Sequence, residues 1–161
     1  MAQILQTYSS MLFRSLGYTC VLTLWALIFA MVIGLIFALC NVSHCKPLNI
    51  LGSIYVDAIR GVPLIVLAYF IYFGVPQAFR FAGINNYRLP ALQAGTIALA
   101  LNCGAYMAEI FRAGIESIDK GQMEAGRSLG FNWTTTMFKI VIPQAIKVVV
   151  PTIFNEIIIL V

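Results

Sequence analysis

Few side chains in this sequence are of a type that does chemistry, and their spacing excludes most of it. The chain has a single histidine, His44, so neither a His-based triad nor a multi-histidine metal site can be assembled. Its acids, Asp57, Glu109, Glu116, Asp119, Glu124 and Glu156, form no isolated carboxylate pair of the glycosidase kind. Cys20, Cys40, Cys45 and Cys103 lack CxxC spacing, so they read as small buried hydrophobes. Cys40 and Cys45 could meet, but nothing requires a bridge. No GxxxxGK[ST], GxGxxG or HExxH motif occurs. No enzymatic activity, no metal and no cofactor of its own are expected of this chain, and His44 reads as a solvated loop residue.

Two groups of polar residues remain. Asn102, Tyr106 and Glu109 follow one another at spacings of four and three, which puts them along one side of a helix. They sit in or at the end of an otherwise apolar run, where lipid offers polar groups no partner. A hydrogen-bonding seam between helices and the lining of a translocation path both fit. The second group is segment 111–139, with Arg112, Glu116, Asp119, Lys120, Glu124, Arg127 and Lys139. Within it Ile115, Ile118, Gln122, Ala125 and Leu129 recur at helical spacing, predicting one short helix with an apolar or small-residue side. Gly121, Gly126 and Gly130 are costly in an ordinary helix. They imply close backbone approach, or a helix stopped by Gly130.

The elements that must position these groups are written in the composition. Of 161 residues 61% are hydrophobic and 10% charged, against roughly 25% charged in soluble proteins. No Asp, Glu, Lys or Arg occurs between Ser15 and Cys45, Gly61 and Ala78, or Leu89 and Ala108, and each interval can cross about 30 Å of hydrocarbon as a helix. Spans are expected at about 16–40, 54–76, 89–110 and 140–161, with an extramembrane loop at about 111–139. The fold class is therefore all-α, a polytopic membrane protein forming one transmembrane domain over 1–161.

Residues 1–14 read as an interfacial lead-in. The apolar run Val21–Cys40 is too long for a signal-peptide core of roughly 7–15 residues, so it is expected as a retained span. Pro47 argues for a loop over 41–53, Gly61–Val62–Pro63 for a bend, and Gly74–Val75–Pro76 for the end of a span. Residues 77–88, with Arg80, Asn85, Asn86 and Arg88, read as a connection. Pro143, Lys147 and Pro151 make the last span irregular and in need of protein neighbours.

The net charge of +4 is spread over span ends, which fits interfacial anchoring and not nucleic acid. If loops 41–60 and 111–139 share a side, that side holds Lys46, Arg60, Arg112, Lys120, Arg127 and Lys139, against Arg14, Arg80 and Arg88 opposite. It would then be the cytoplasmic side. If the chain carries a solute, four spans are too few to surround the path, so a homodimer or a related second copy is implied.

The stretch Glu124–Ala125–Gly126–Arg127–Ser128–Leu129–Gly130, continued to Ile140–Val141–Ile142–Pro143, closely resembles the signature loop of permease subunits of bacterial ATP-binding-cassette importers. That family has Glu-Ala-Ala, three residues, Gly, nine residues and Ile-x-Leu-Pro. Ala108–Ile115 with Gly121–Gln122, Ile59–Val66 with Tyr72–Pro76, and Pro143–Gln144–Ala145 with Pro151 and Asn155–Glu156 are similar to its polar amino-acid branch. The resemblance covers essentially the whole chain.

The resemblance implies a type I importer permease fold in the bacterial inner membrane, with four of its usual five transmembrane helices present. It implies an extracytoplasmic solute-binding protein, a polar amino acid as substrate, and two cytoplasmic ATPase subunits that bind ATP and Mg. Residues Ile118, Gln122, Glu124, Ala125, Gly126, Leu129 and Gly130 would couple to the ATPase. Glu124 would orient the loop through charge-assisted bonds, Gly130 would allow its turn, and Ala125 and Gly126 would pack on the partner. Arg60, Gly61, Pro63, Arg112 and Pro143 match motif positions read as structural, with Glu109 and Arg112 bracing the loop.

Gly126, Val62 and Ile142 depart from the residues usual at their positions, without altering the resemblance. Family members continue past the point where this chain ends, so a truncated permease is expected. The alternatives are a subunit of another membrane transporter or channel, and a structural membrane-assembly protein.

Overall fold

The computed structural model describes residues 2–43, 45–84 and 87–160. His44, Asn85, Asn86 and Val161 lie outside the described residues, and with them the expectation for His44. The described residues form helices α1 (Ala2–Val42), α2 (Lys46–Arg60), α3 (Leu64–Tyr69), α4 (Val75–Phe81), α5 (Ala91–Glu116), α6 (Lys120–Ser128), α7 (Trp133–Thr136) and α8 (Ile142–Leu160). π-helical turns at Phe70–Gly74 and Met137–Val141 join α3 to α4 and α7 to α8. Among the described residues, Tyr8–Val42, Leu64–Phe81, Ala91–Glu116 and Trp133–Ile159 are long and apolar enough to cross a membrane.

Helix α5 is the centre of the bundle, touching α1, α2, α3 and α8. Its seam with α1 is made by small residues. Thr23, Ala26, Ala30, Gly34 and Ala38 recur at three and four and are all buried, while Phe13, Leu24, Trp25, Phe29 and Ile36 of the same helix are exposed. Lipid removes the hydrophobic drive for helices to associate, so close dispersion contact between backbones replaces it. A Cβ on Gly34 would lie 2.5 Å from Met107 Cβ and 3.0 Å from Ala108 N. A Cβ on Gly114 would overlap Cγ1 of Val149 where α5 crosses α8.

Several boundaries differ from the sequence reading, each for a local reason. The expected loop over 41–53 is largely helix, because Pro47 sits in the first turn of α2, where a missing N–H costs nothing. Helix α2 packs Gly52 and Val56 inward. Its Tyr55 hydroxyl donates to the Leu101 carbonyl at 2.8 Å, and the Tyr55 ring stacks on Phe37 at 3.9 Å. The helix ends at Arg60, and Pro63 caps α3, so the span expected over 54–76 is two helices with a break at Gly61–Pro63. Residues 2–14, expected as an interfacial lead-in, are part of α1.

Pro76 does not end its span. The helical run continues to Phe81 and stops at Gly83, whose φ of +90° is open to glycine. There Gly83 N–H donates to the Arg80 carbonyl at 3.0 Å and Ile84 N–H to the Phe79 carbonyl at 2.9 Å. This is a Schellman stop. Both π turns have one cause. Each is followed, after a single residue, by a proline: Pro76 and Pro143. A proline ring clashes with the carbonyl four residues back and supplies no N–H. Widening the preceding turn by one residue moves that carbonyl aside.

The ends of α1, α2 and α5 meet at one end of the bundle. Asn41, Asn49, Ser53, Asp57, Arg112 and Glu116 line a shared polar cavity of about 270 Å³, and the Asn49 side chain donates to the Asn41 carbonyl. Val42 packs on the cluster of Ile115, Met137, Val141 and Ala145. The loop after α1 and segment 111–139 therefore share a side.

Candidate functional site

Segment 111–139 is mostly helical, not an open loop. Helix α5 runs on to Glu116, and an unbroken helix over 115–129 is ruled out by a turn at Ser117–Asp119. Asp119 is the cause, because its carboxylate accepts from Gly121 N–H at 2.6 Å and caps α6. At the other end Gly130, with φ of +83°, stops α6. Phe131 N–H donates to the Gly126 carbonyl at 3.2 Å and Gly130 N–H to the Arg127 carbonyl at 3.0 Å, another Schellman stop. Asn132 then caps α7 through its side-chain oxygen, which accepts from Thr135 N–H at 2.7 Å.

This break divides the residues expected on one side. Ile115 is buried, and Ile118 and Met123 are half-buried against Met137, Val141 and Trp133. Gln122, Glu124, Ala125 and Leu129 are exposed, Leu129 by 75%. Gly126 is buried within this chain. A Cβ there would lie 2.5 Å from Thr136 Cγ2 and 3.1 Å from Ile140 Cδ1. The expected packing of Gly126 on a partner is thus replaced by packing on α7, and its small size serves the seating of α6. Glu124 joins none of the ion pairs among the described residues.

The second region is the polar seam of α2, α5 and α8. Arg112 grips Glu109 with Nη2 at 2.6 Å and Nε at 3.0 Å, and donates through Nη1 to Glu116 at 2.8 Å. Three side chains a turn apart thus form one charge-assisted chain at the end of α5. Arg60 reaches across from α2. Its guanidinium lies 5.2 Å from the centre of the Tyr106 ring and 4.0 Å from Glu109 Oε1.

A crevice of about 390 Å³ opens between α5 and α8. Arg60, Tyr106, Glu109, Ser117, Thr152 and Glu156 supply its polar lining. Tyr106 and Glu109 are brought together as expected from spacing, while Asn102 stands one turn earlier on α5, outside the residues that line it.

Thr152 and Glu156 were not among the expected site residues. Their spacing of four within an apolar span was the signal that could have found them. Lys147 is a further case. It is exposed on α8 and makes no ion pair among the described residues. With Gln144, Pro151 and Asn155 it forms a stripe at spacings of three, four and four, on the side of α8 away from Val149, Thr152 and Glu156. An ammonium in a span is tolerated where it faces water or protein, not lipid.

A family profile for proteins called "Binding-protein-dependent transport system inner membrane component" matches residues 30–161. The "Probable glutamine ABC transporter permease protein GlnM" of Bacillus subtilis (strain 168) is 41% identical over 147 residues, covering 91% of this chain and 65% of that protein. The "L-cystine transport system permease protein TcyB" of the same organism is 40% identical over 150 residues, covering 93% of this chain and 61% of its own length. The chain thus spans less than two thirds of the length of these relatives. A solved structure, "Crystal structure of an amino acid ABC transporter with histidines", superposes with a TM-score of 0.75 at 39% identity. The match covers 94% of this chain and 71% of that one.

Proposed function

The chain belongs to the family of binding-protein-dependent inner membrane transport components, and we propose on that premise that it is the transmembrane subunit of an ATP-driven importer of a polar amino acid. It is a multi-pass inner membrane protein of the importer permease fold. In this reading a second permease subunit completes the solute path, an extracytoplasmic binding protein delivers the substrate, and two cytoplasmic ATPase subunits bind ATP and Mg. The chain itself is no enzyme.

The observation that carries the reading is α6. It is a short helix capped at both ends, seated from behind by Gly126 on Thr136, that holds Glu124, Ala125 and an almost bare Leu129 outward beyond the spans. An apolar side chain held out on a rigid helix is suited to a partner's groove. Glu124 and Gly130 act with it, the first as a charge offered to the partner, the second as the stop that fixes the turn.

Solute would pass along the crevice of Tyr106 and Glu109, with Asn102 on the same side of α5. Relatives named for glutamine and for cystine are nearly equally similar, so their shared chemistry, an α-amino and an α-carboxylate group, defines the substrate class.

The test of the whole reading is uptake of labelled amino acids by vesicles holding permease, ATPase and binding protein. ATP-dependent accumulation of at least one polar amino acid is expected. Coupled hydrolysis with no accumulation of any would reject the substrate class. Labelling of residues 116–130 from outside the cell would reject the importer reading.

A further inference from the structure

Helix α6 is joined to the last span by a polar link besides its apolar seat. Gln144 stands near the start of α8, one residue past Pro143. Its Nε2 donates to Gln122 Oε1 on α6 at 3.1 Å and to the Ile140 carbonyl, inside the π turn, at 3.0 Å. One amide nitrogen therefore spends both hydrogens on the two sides of a junction, the short helix and the widened turn that leads into the span. The apolar face of that junction is the contact of Gly126 with Thr136 and Ile140. That contact and Met123, half-buried against the cluster of Met137 and Val141, are apolar and non-directional, so without the polar link a helix of so few turns can pivot on them.

We propose that Gln144 is a positioning residue that locks α6 to the foot of α8, so that a push on α6 is delivered to the span and not lost in rotation of the short helix. This rests on the reading of α6 as the ATPase contact. Coupling between distant groups requires an element whose arrangement both ends bias, and the π turn before Pro143 is the compliant part that Gln144 spans. Gln144 touches neither solute nor nucleotide in this role. Its effect is on the solute moved per ATP hydrolysed.

The experiment uses the full transporter in proteoliposomes, measuring uptake and ATP hydrolysis together. Gln144→Leu and Gln122→Leu are each expected to lower the solute moved per ATP roughly threefold to tenfold, the range of one net hydrogen bond, with hydrolysis retained. The double variant is expected to be no worse than Gln144→Leu alone, because that change already removes the one bond Gln122 shares with it. Gln144→Lys with Gln122→Glu, which keeps the donor at 144 for the Ile140 carbonyl and rebuilds the link as an ion pair, is expected to return the ratio to within about twofold of the parent. This swap also decides the matter if the leucine variants assemble poorly.

Single variants at the parent's ratio, additive losses in the double, or a swap no better than its components would each overturn the proposal. A cysteine placed by Ala125→Cys separates the two readings. Cross-linking to the ATPase with unaltered ratios rejects the role of Gln144 alone, and no cross-linking rejects the contact on which it rests.

Discussion

Gly114→Ala is expected to lower the heat resistance of the folded permease markedly, and Gly114→Leu to leave little of it folded. The glycine lies at the crossing of α5 and α8, both parts of spans, where an added Cβ would overlap Cγ1 of Val149. Neither partner can give. Val149 is 3% exposed, its branched side chain has one strongly preferred rotamer in a helix, and α5 is held on its other sides by α1, α2 and α3. Overpacking of this kind costs about 1–3 kcal/mol for a methyl group and more for a larger one.

The measurement is the fraction of detergent-solubilised protein that stays monodisperse after graded heating. Combining Gly114→Ala with Val149→Ala should recover most of the loss, because the second change opens the space the first one fills. A Gly114→Ala protein as heat-resistant as the parent would show that the crossing has slack.

Leu129→Arg is expected to reduce ATPase retention and solute uptake by about 30-fold or more, the effect of losing an interface anchor of at least 2 kcal/mol, while abundance and heat resistance stay at the parent's level. The leucine is 75% exposed at the end of α6 and belongs to none of the core clusters among the described residues. Ala125→Trp, one turn earlier on the exposed side, should act in the same way by blocking a groove. Gly126→Leu should instead lower abundance, since it strikes Thr136 in this chain. Two neighbouring positions thus separate contact from folding. Leu129→Arg protein that keeps its ATPase and its uptake would make α6 an interfacial anchor in the lipid head groups.

Part of this was legible beforehand because it depends on local composition. Three charge-free intervals forced spans, and a stop at Gly130 was one of two readings of the glycines, the one its left-handed backbone bears out. Tyr106 and Glu109 could be paired from spacing alone. The error over Pro47 came from reading proline as a breaker when its position in the turn decides the matter. Pro76 misled for a related reason, because the widened turn that accommodates it leaves no mark in the sequence except the proline itself.

What the amino-acid sequence determined by itself was the number of apolar helices and the signature segment 124–143, because hydropathy and motif spacing are properties of neighbours along the chain. Only the tertiary structure decided that Gly126 faces Thr136 and not a partner, that Thr152 and Glu156 join Tyr106 and Glu109, and that Gln144 bridges α6 to the π turn. Each of these is a meeting of residues on different helices. It depends on how closely small side chains let those helices approach, and that distance is set by packing in three dimensions.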